Sequence, residues 1–425
     1  MLVLTKSTIA IAAFTFVNVV HGLATRATCP SSQLASGPSA CAATSKALGI
    51  YRHDKLSPSS SWDGPLDCQG EFCVYSNQAV SKHRWAVLCT TPEVAKHVQS
   101  HFYIRPKSPI HPETLLEAIP CHVAEIPGKG RGLIASRKIL EGEQIIAEDA
   151  ILALPIHAHL ELQPERRASL YDMVLENLPR EARDEFLSQA GDDVTTILNR
   201  NGFEIHTGRD DDDVRYVGAF PEQALINHDC RPSLAYHFRG ITHITIAVRD
   251  IEAGEELSLS YIDATLPTRH RQAGLSALWE FKCTCKQCQL APAEAEASEA
   301  RLDRIKALED SLDHPAKSFP AGDLKAQTGA ELVRLYEQDR LDVYVGYAYR
   351  RAALNFAVFG DAPNATRFAR RALEALRRQG GAGQKDLENM RGLLTDPKAH
   401  WSWGRLVAPP PRPRPQQHRK SAGGV

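Results

Sequence analysis

Four cysteines in the second half of the chain carry its most specific chemistry. Cys283, Cys285 and Cys288 stand in the run Cys-Thr-Cys-Lys-Gln-Cys. Thiolates this close together can wrap one tetrahedral zinc and leave a fourth position, for which the upstream Cys230 is the candidate. Four protein ligands leave no place for water, so the site would be structural and closed rather than catalytic. The competing reading is two disulfides among the four, although neighbouring bridges in a Cys-x-Cys-x-x-Cys run would be strained. Cys230 closes Asn227-His228-Asp229-Cys230, which follows the apolar Ala224-Leu225-Ile226. Tyr261 ends the stretch Glu256-Leu257-Ser258-Leu259-Ser260, shortly before the cysteine run. A metal clamp would therefore pin the segment after Tyr261 onto the Asn227–Cys230 loop. Taken singly, the Asn-His pair reads as structural hydrogen bonding and the tyrosine as packing.

A further segment, Pro127-Gly128-Lys129-Gly130-Arg131-Gly132, is a glycine-rich turn of the kind that lets backbone approach a ligand closely. The glycine turn, Asn-His-x-Cys, Glu-Glu-Leu…Tyr and Cys-x-Cys-x-x-Cys occur in that order. Together they resemble the SET domain of protein lysine methyltransferases, with a post-SET cysteine cluster, over residues 119–290. The long helical insert and the helices beyond the cluster resemble the SET/MYND branch. The MYND finger is missing, since no cysteine lies between Cys121 and Cys230. The resemblance implies S-adenosylmethionine as methyl donor and structural Zn2+ at Cys230, Cys283, Cys285 and Cys288. It implies cofactor contacts at Lys129, Arg131, Asn201, Asn227, His228, Tyr261 and Phe281, with Phe281 lining the cofactor pocket or the lysine channel. Tyr261 matches the catalytic tyrosine. The family continues Asn-His-x-Cys with x-Pro-Asn, whereas this chain reads Arg231-Pro232-Ser233. A sulfonium methyl is already activated, so the protein's task is to align a neutral lysine amine with it. Free lysine has a pKa of about 10.4, and an apolar channel helps it shed its proton.

These motifs need elements to hold them. Residues 121–126, 133–135 and 143–147 alternate like short strands, as do 235–238, 241–248 and 256–261. Residues 164–190 have helical period, with Leu170, Met173, Val174, Leu178 and Phe186 on one face. The expected fold is α+β: short twisted sheets with a helical insert and the cysteine cluster, followed by helices over 293–400. Within those helices, 347–359 and 366–378 read as a hairpin around Gly360-Asp361-Ala362-Pro363. It resembles one tetratricopeptide unit, and a small helical bundle fits equally well. Residues 405–425 form a Pro/Arg-rich disordered tail.

Upstream, residues 1–24 read as a secretory signal, with Lys6, the apolar Ile9–Val20, and Gly22 and Ala24 before a cleavage point. A mitochondrial presequence or an over-extended start is the alternative; without a working signal the chain would be nuclear or cytoplasmic. Residues 25–118 are loop-rich, with short strands near Phe72–Tyr75 and Trp85–Cys89. Six of the ten cysteines fall at 29, 41, 68, 73, 89 and 121, a dispersed even set that suggests disulfides. Composition is that of a globular protein, 43% hydrophobic and 24% charged, with net charge -1. That balance excludes a nucleic-acid binder acting through net charge, and no membrane span is expected in the mature chain. The partner is a protein substrate offering a lysine side chain, histones among the candidates. The other functional reading is a secreted SET-fold binding protein without catalysis, using its N-terminal and helical regions. Asp210–Asp213 reads as a solvated loop, His157 and His159 as surface residues, and Asn364-Ala365-Thr366 as a sequon or a helix start.

Overall fold

The structure is a computed structural model that describes residues 62–77, 86–101, 119–206, 215–379 and 383–406. Residues 1–24, read above as a signal, Cys29 and Cys41, the Asp210–Asp213 run and the residues beyond Leu406 lie outside the described residues. The chain divides into two compact units between Glu296 and Ala297.

In the first unit, β1 (Asp63–Gln69), β2 (Phe72–Asn77) and β3 (Ala86–Thr90) lead to α1 (Pro92–His101). The hairpin β4 (Cys121–Ile126) and β5 (Gly130–Ala135) comes next, then β6 (Gln144–Asp149) and β7 (Leu152–Pro155). The helical insert is α2 (Ile156–Glu161), α3 (Pro164–Glu176), α4 (Arg180–Leu187) and α5 (Val194–Asn201). After it run β8 (Phe203–His206), β9 (Arg215–Ala219), β10 (Asn227–His228), β11 (Leu234–Arg239), β12 (Thr242–Ala247) and β13 (Ser258–Leu259). Helix α6 (Thr268–Trp279) closes the series. The strands form a six-stranded sheet in the order β1-β2-β3-β7-β9-β8, a three-stranded sheet β11-β12-β6, the β4–β5 hairpin, and a parallel β10–β13 pair.

Strand alternation explains the layering, because successive side chains point to opposite faces. On one face of the large sheet Phe72, Val74, Val87, Leu152, Leu154 and Val217 meet Leu170, Met173, Val174, Leu178 and Phe186 of the helical insert. On the other, Tyr75, Leu88, Ala153, Ile205 and Tyr216 pack with Ala95 and Phe220. A third cluster, with Leu133, Ile145, Ile226, Leu234, Leu257 and Leu259, fills the space between the hairpin, the small sheet and the β10–β13 pair. The residues read from sequence as the helical insert's apolar face are all in this core.

The described part of 25–118 is built into the large sheet. Its β1, β2 and β3 extend the sheet that holds β7, β8 and β9, with β3 pairing β7 in parallel. The four described early cysteines form one disulfide. Cys68 and Cys73 are bonded across the β1–β2 hairpin, but Cys89 and Cys121 are free, buried thiols. Each lies in a different apolar cluster, and neither meets a partner among the described residues. His157 is exposed as expected, whereas His159 is 1% exposed. His159 is held by the Tyr171 hydroxyl at 2.7 Å and Asn199 Oδ1 at 2.8 Å, a core role that spacing does not reveal.

The second unit is helical. It contains most of α7 (Pro292–Asp313), the one-turn α8 (Pro315–Ser318), α9 (Thr328–Gln338), α10 (Val345–Val358), α11 (Ala362–Gln379) and α12 (Gln384–Thr395). Gly329 lets α9 approach α10: a Cβ there would stand 2.5 Å from Ala352 Cα. The hairpin read from sequence is α10 and α11. Helix α11 starts before residue 366 because Asp361 caps it, accepting the Asn364 N–H at 3.1 Å. The Asn364 amide nitrogen donates to the same carboxylate at 2.7 Å, so the cap belongs to Asp361 and not to the sequon asparagine.

Candidate functional site

The β10–β13 pairing sets Asn227 opposite Ser258 and His228 opposite Leu259. Two residues past β13, Tyr261 thereby returns to the Ile226–His228 segment. Its backbone N–H donates to His228 Nδ1 at 3.0 Å, and its hydroxyl donates to the Ile226 carbonyl at 2.7 Å. Burial raises the Tyr261 pKa, so the hydroxyl keeps its proton and remains a donor. His228 is 4% exposed. Burial pushes its pKa down to about 3, which keeps the ring neutral. Because Nδ1 accepts from Tyr261, the ring proton belongs on Nε2, which lies 3.3 Å from Cys230 Sγ.

The glycine turn reaches this strand pair from the other side. Asn227 Nδ2 donates to the Arg131 carbonyl at 3.2 Å and to Glu256 Oε1 at 3.1 Å. Lys129 Nζ pairs with Glu256 Oε2 at 2.6 Å. Glu256 is thus the hub that joins the turn to Asn227. Gly132 must lack a side chain, since a Cβ would meet Asn227 Nδ2 and Ile126 Cγ1, each at 2.6 Å. Arg131 and Asn201 both reach the turn after α4: an Arg131 guanidinium N–H points to the Ser188 carbonyl at 3.5 Å, and Asn201 Nδ2 donates to the Ala190 carbonyl at 2.8 Å.

Beside Tyr261 lies a cavity of about 370 Å³. Phe203, Tyr236, Tyr261 and Trp279 give it aromatic walls, with Ile226, Asn201, Glu204 and Gln223 also lining it. Trp279 packs against Tyr261 with ring centroids 5.2 Å apart, and its indole N–H donates to the Arg200 carbonyl at 2.8 Å. Of the residues singled out from sequence, Asn201 and Tyr261 line this cavity. Lys129, Arg131, Asn227 and His228 stand behind it, around Glu256 and the β10–β13 pair. Phe281 packs against His228, ring centroids 6.1 Å apart, and against the cysteines rather than on the cavity wall.

The four late cysteines converge. Their sulfurs all lie within 4.8 Å of one another, with Cys230 and Cys288 at 3.6 Å. Hydrogen bonds from Cys230 and Cys283 hold the Cys285 thiol down at about 5, and those from Cys230, Cys283 and Cys285 hold Cys288 lower still. Sharing among the same thiols pushes Cys230 up. Full ionisation of four thiols this close requires a cation among them, and the donor set fits one tetrahedral metal. No disulfide joins any of the four. Helix α6 braces the cluster. Gln272 donates to the Cys283 carbonyl at 2.8 Å and accepts the Cys283 N–H at 3.0 Å. Arg271, fully buried, carries its guanidinium here. Burial opposes that charge, but the neighbouring Cys230 and Cys288 more than offset it.

Sequence reading passed over Glu256 as a hub, Trp279 and Phe203 as cavity walls, and Arg271. Glu256 carried a signal, since it sits in the Glu-Glu-Leu…Tyr motif itself. The aromatic walls carried none, because isolated aromatics read as core.

Residues 130–262 match the family described as SET domain. Over 104 residues the chain is 38% identical to N-lysine methyltransferase SMYD2-B of Xenopus laevis, covering 23% of each chain. Over 96 residues it is 34% identical to histone-lysine N-methyltransferase SMYD3 of Homo sapiens, covering 23% of this chain and 22% of that one. The chain thus matches about a quarter of the length of these relatives. Among solved structures, the SET domain of LSMT bound to lysine and AdoHcy overlays at 12% identity and a TM-score of 0.28, covering 67% of this chain and 90% of that one.

Proposed function

We propose that this chain, which carries a SET domain over residues 130–262, transfers a methyl group from S-adenosylmethionine to the side-chain amine of a protein lysine. One observation carries the proposal. The glycine turn, Asn227 and Glu256 are knitted together directly behind a neutral His228 and a protonated Tyr261, and Tyr261 forms the wall of an aromatic cavity. On this reading the aromatic cavity takes the aliphatic side chain of the lysine. The matched relatives are named as lysine methyltransferases, and histone lysines are among the candidate substrates here.

The cofactor, when bound, supplies a sulfonium methyl already activated for displacement. Lys129, Arg131, Asn227 and His228 would hold it, with Asn201 and Phe281 at its margins. The aromatic walls limit access of water, and the amine becomes the nucleophile once it has shed its proton to solvent. The Tyr261 hydroxyl, fixed by its hydrogen bond to the Ile226 carbonyl, would orient the amine for transfer. Cys230, Cys283, Cys285 and Cys288 would hold a structural zinc that keeps Tyr261, Trp279 and Phe281 in register. Nothing in the site favours the reading of an inactive SET-fold binder. Residues 1–24 would send the chain into the secretory pathway, a reading supported by the apolar 9–20 stretch and the Cys68–Cys73 bond. N-terminal sequencing of the expressed protein tests it, since a start at Met1 excludes cleavage.

Titration calorimetry with S-adenosylmethionine, together with radiolabelled methyl transfer to histone and non-histone proteins, tests the activity. Zinc-loaded reduced protein should bind the cofactor and label protein lysine. Absence of both binding and labelling overturns the proposal.

A further inference from the structure

The cavity beside Tyr261 contains two polar groups that its other features do not account for. Glu204, 5% exposed on β8, spends one carboxylate oxygen on Arg215 at 3.1 Å, with His206 Nε2 nearby at 3.4 Å. Its other oxygen, Oε2, is buried and has no hydrogen-bond partner among the described residues. Gln223 is 1% exposed, and its amide nitrogen points to the His243 carbonyl at 3.4 Å, which fixes the orientation of the amide. Its Oε1 is buried and likewise without a partner among the described residues. Both residues line the cavity. A buried acceptor with no donor costs free energy, and two in one aromatic chamber point to a ligand that brings the missing donors. Aromatic faces add attraction for a cation.

We propose that Glu204 and Gln223 are the specificity-determining acceptors of this cavity, and that they select an alkylammonium by its N–H donors rather than by its charge alone. The inference rests on reading the cavity as the entry for the substrate amine. An unmodified lysine ammonium offers three donors, and each methyl group removes one while the positive charge stays. The cavity's volume lies within the range of small-ligand sites, about 300–1,000 Å³, so size alone does not exclude the methylated forms. Discrimination falls to the acceptors. The unmethylated substrate is held best and the trimethylated product worst, which biases the site toward early methylation states and toward product release.

The test uses the full chain and Nα-acetyl-lysine N-methylamide with its Nε-mono-, di- and trimethyl derivatives, binding followed by Trp279 fluorescence and by calorimetry. Wild-type affinity should fall stepwise, with the trimethyl form weaker by about tenfold or more, as expected for lost hydrogen bonds to charged groups. In Glu204→Gln, Arg215 retains the amide oxygen and an NH2 faces the cavity. In Gln223→Leu the second acceptor is gone. Each variant should compress the series. A flat or inverted wild-type series, which charge and aromatic attraction alone would give, overturns the proposal whatever the variants do. So does a series unchanged in both variants. Radiolabelled methyl transfer is scored separately. Transfer with a flat series defeats this inference alone, and a graded series without transfer defeats the methyltransferase reading alone.

Discussion

At Tyr261 two groups do different work. The backbone N–H fixes the neutral tautomer of His228, while the hydroxyl is tied to the Ile226 carbonyl and turned to the cavity. Replacing Tyr261 with Phe keeps the first and removes the second. We expect kcat to fall by about 10²–10³-fold, the usual cost of one preorganised polar group at a reacting centre. Affinity for S-adenosylmethionine should stay within a few-fold of wild type. Single-turnover methyl transfer beside calorimetry separates the two, and wild-type turnover in Tyr261→Phe would remove Tyr261 from the chemistry. The sequence made Tyr261 and Asn227 legible because both sit in ordered motifs with short spacing. Glu204, Gln223 and Trp279 were illegible because only the folded backbone brings them to one chamber. What marks Glu204 and Gln223 is an atom on each that is unpaired among the described residues, which no residue pattern encodes.

Among the elements, the turn between β4 and β5 and the β10–β13 pair meet at Gly132. Gly132→Ala would place a Cβ against Asn227 Nδ2 and Ile126. Overpacking of this kind costs about 1–3 kcal/mol. Because the displaced atom is the Asn227 amide, cofactor affinity should drop more than stability does. Calorimetry and urea unfolding on the same sample measure both, and an unchanged cofactor Kd would dissociate the turn from the site. Most of the strands and helices were readable from alternation and helical period. Partnership was not readable: nothing in Phe72–Tyr75 or Val87–Cys89 says that β2 and β3 extend the sheet of β7 and β9, because pairing depends on long-range packing. The same limit applied to the early cysteines, where an even count implied bonds and, among the described residues, only Cys68 and Cys73 make one.

Taken as a whole, the first unit buries titratable rings in its cores, and this makes its stability sensitive to acid. Burial lowers His159 to about 4 and His243 to about 3. In the unfolded chain both return to about 6.5. Between those values the unfolded chain binds more protons, so stability is complete above about pH 6.5 and falls as pH drops toward 4. The slope reaches about 1.4 kcal/mol per pH unit for each ring. Urea midpoints at pH 7.5, 6 and 5 should decline accordingly, and His159→Gln should flatten part of the decline; equal midpoints would sink the account. The ion pair of Lys129 with Glu256 has a consequence of another kind. The two residues are 127 positions apart in the chain. At a synthesis rate of about 5–20 residues per second, Lys129 leaves the ribosome roughly 6–25 s before Glu256 does. For that interval the glycine turn lacks its counter-charge, and for most of it Asn227's anchor as well. The turn stays hydrated meanwhile and takes up its place in the site only once translation has passed position 256.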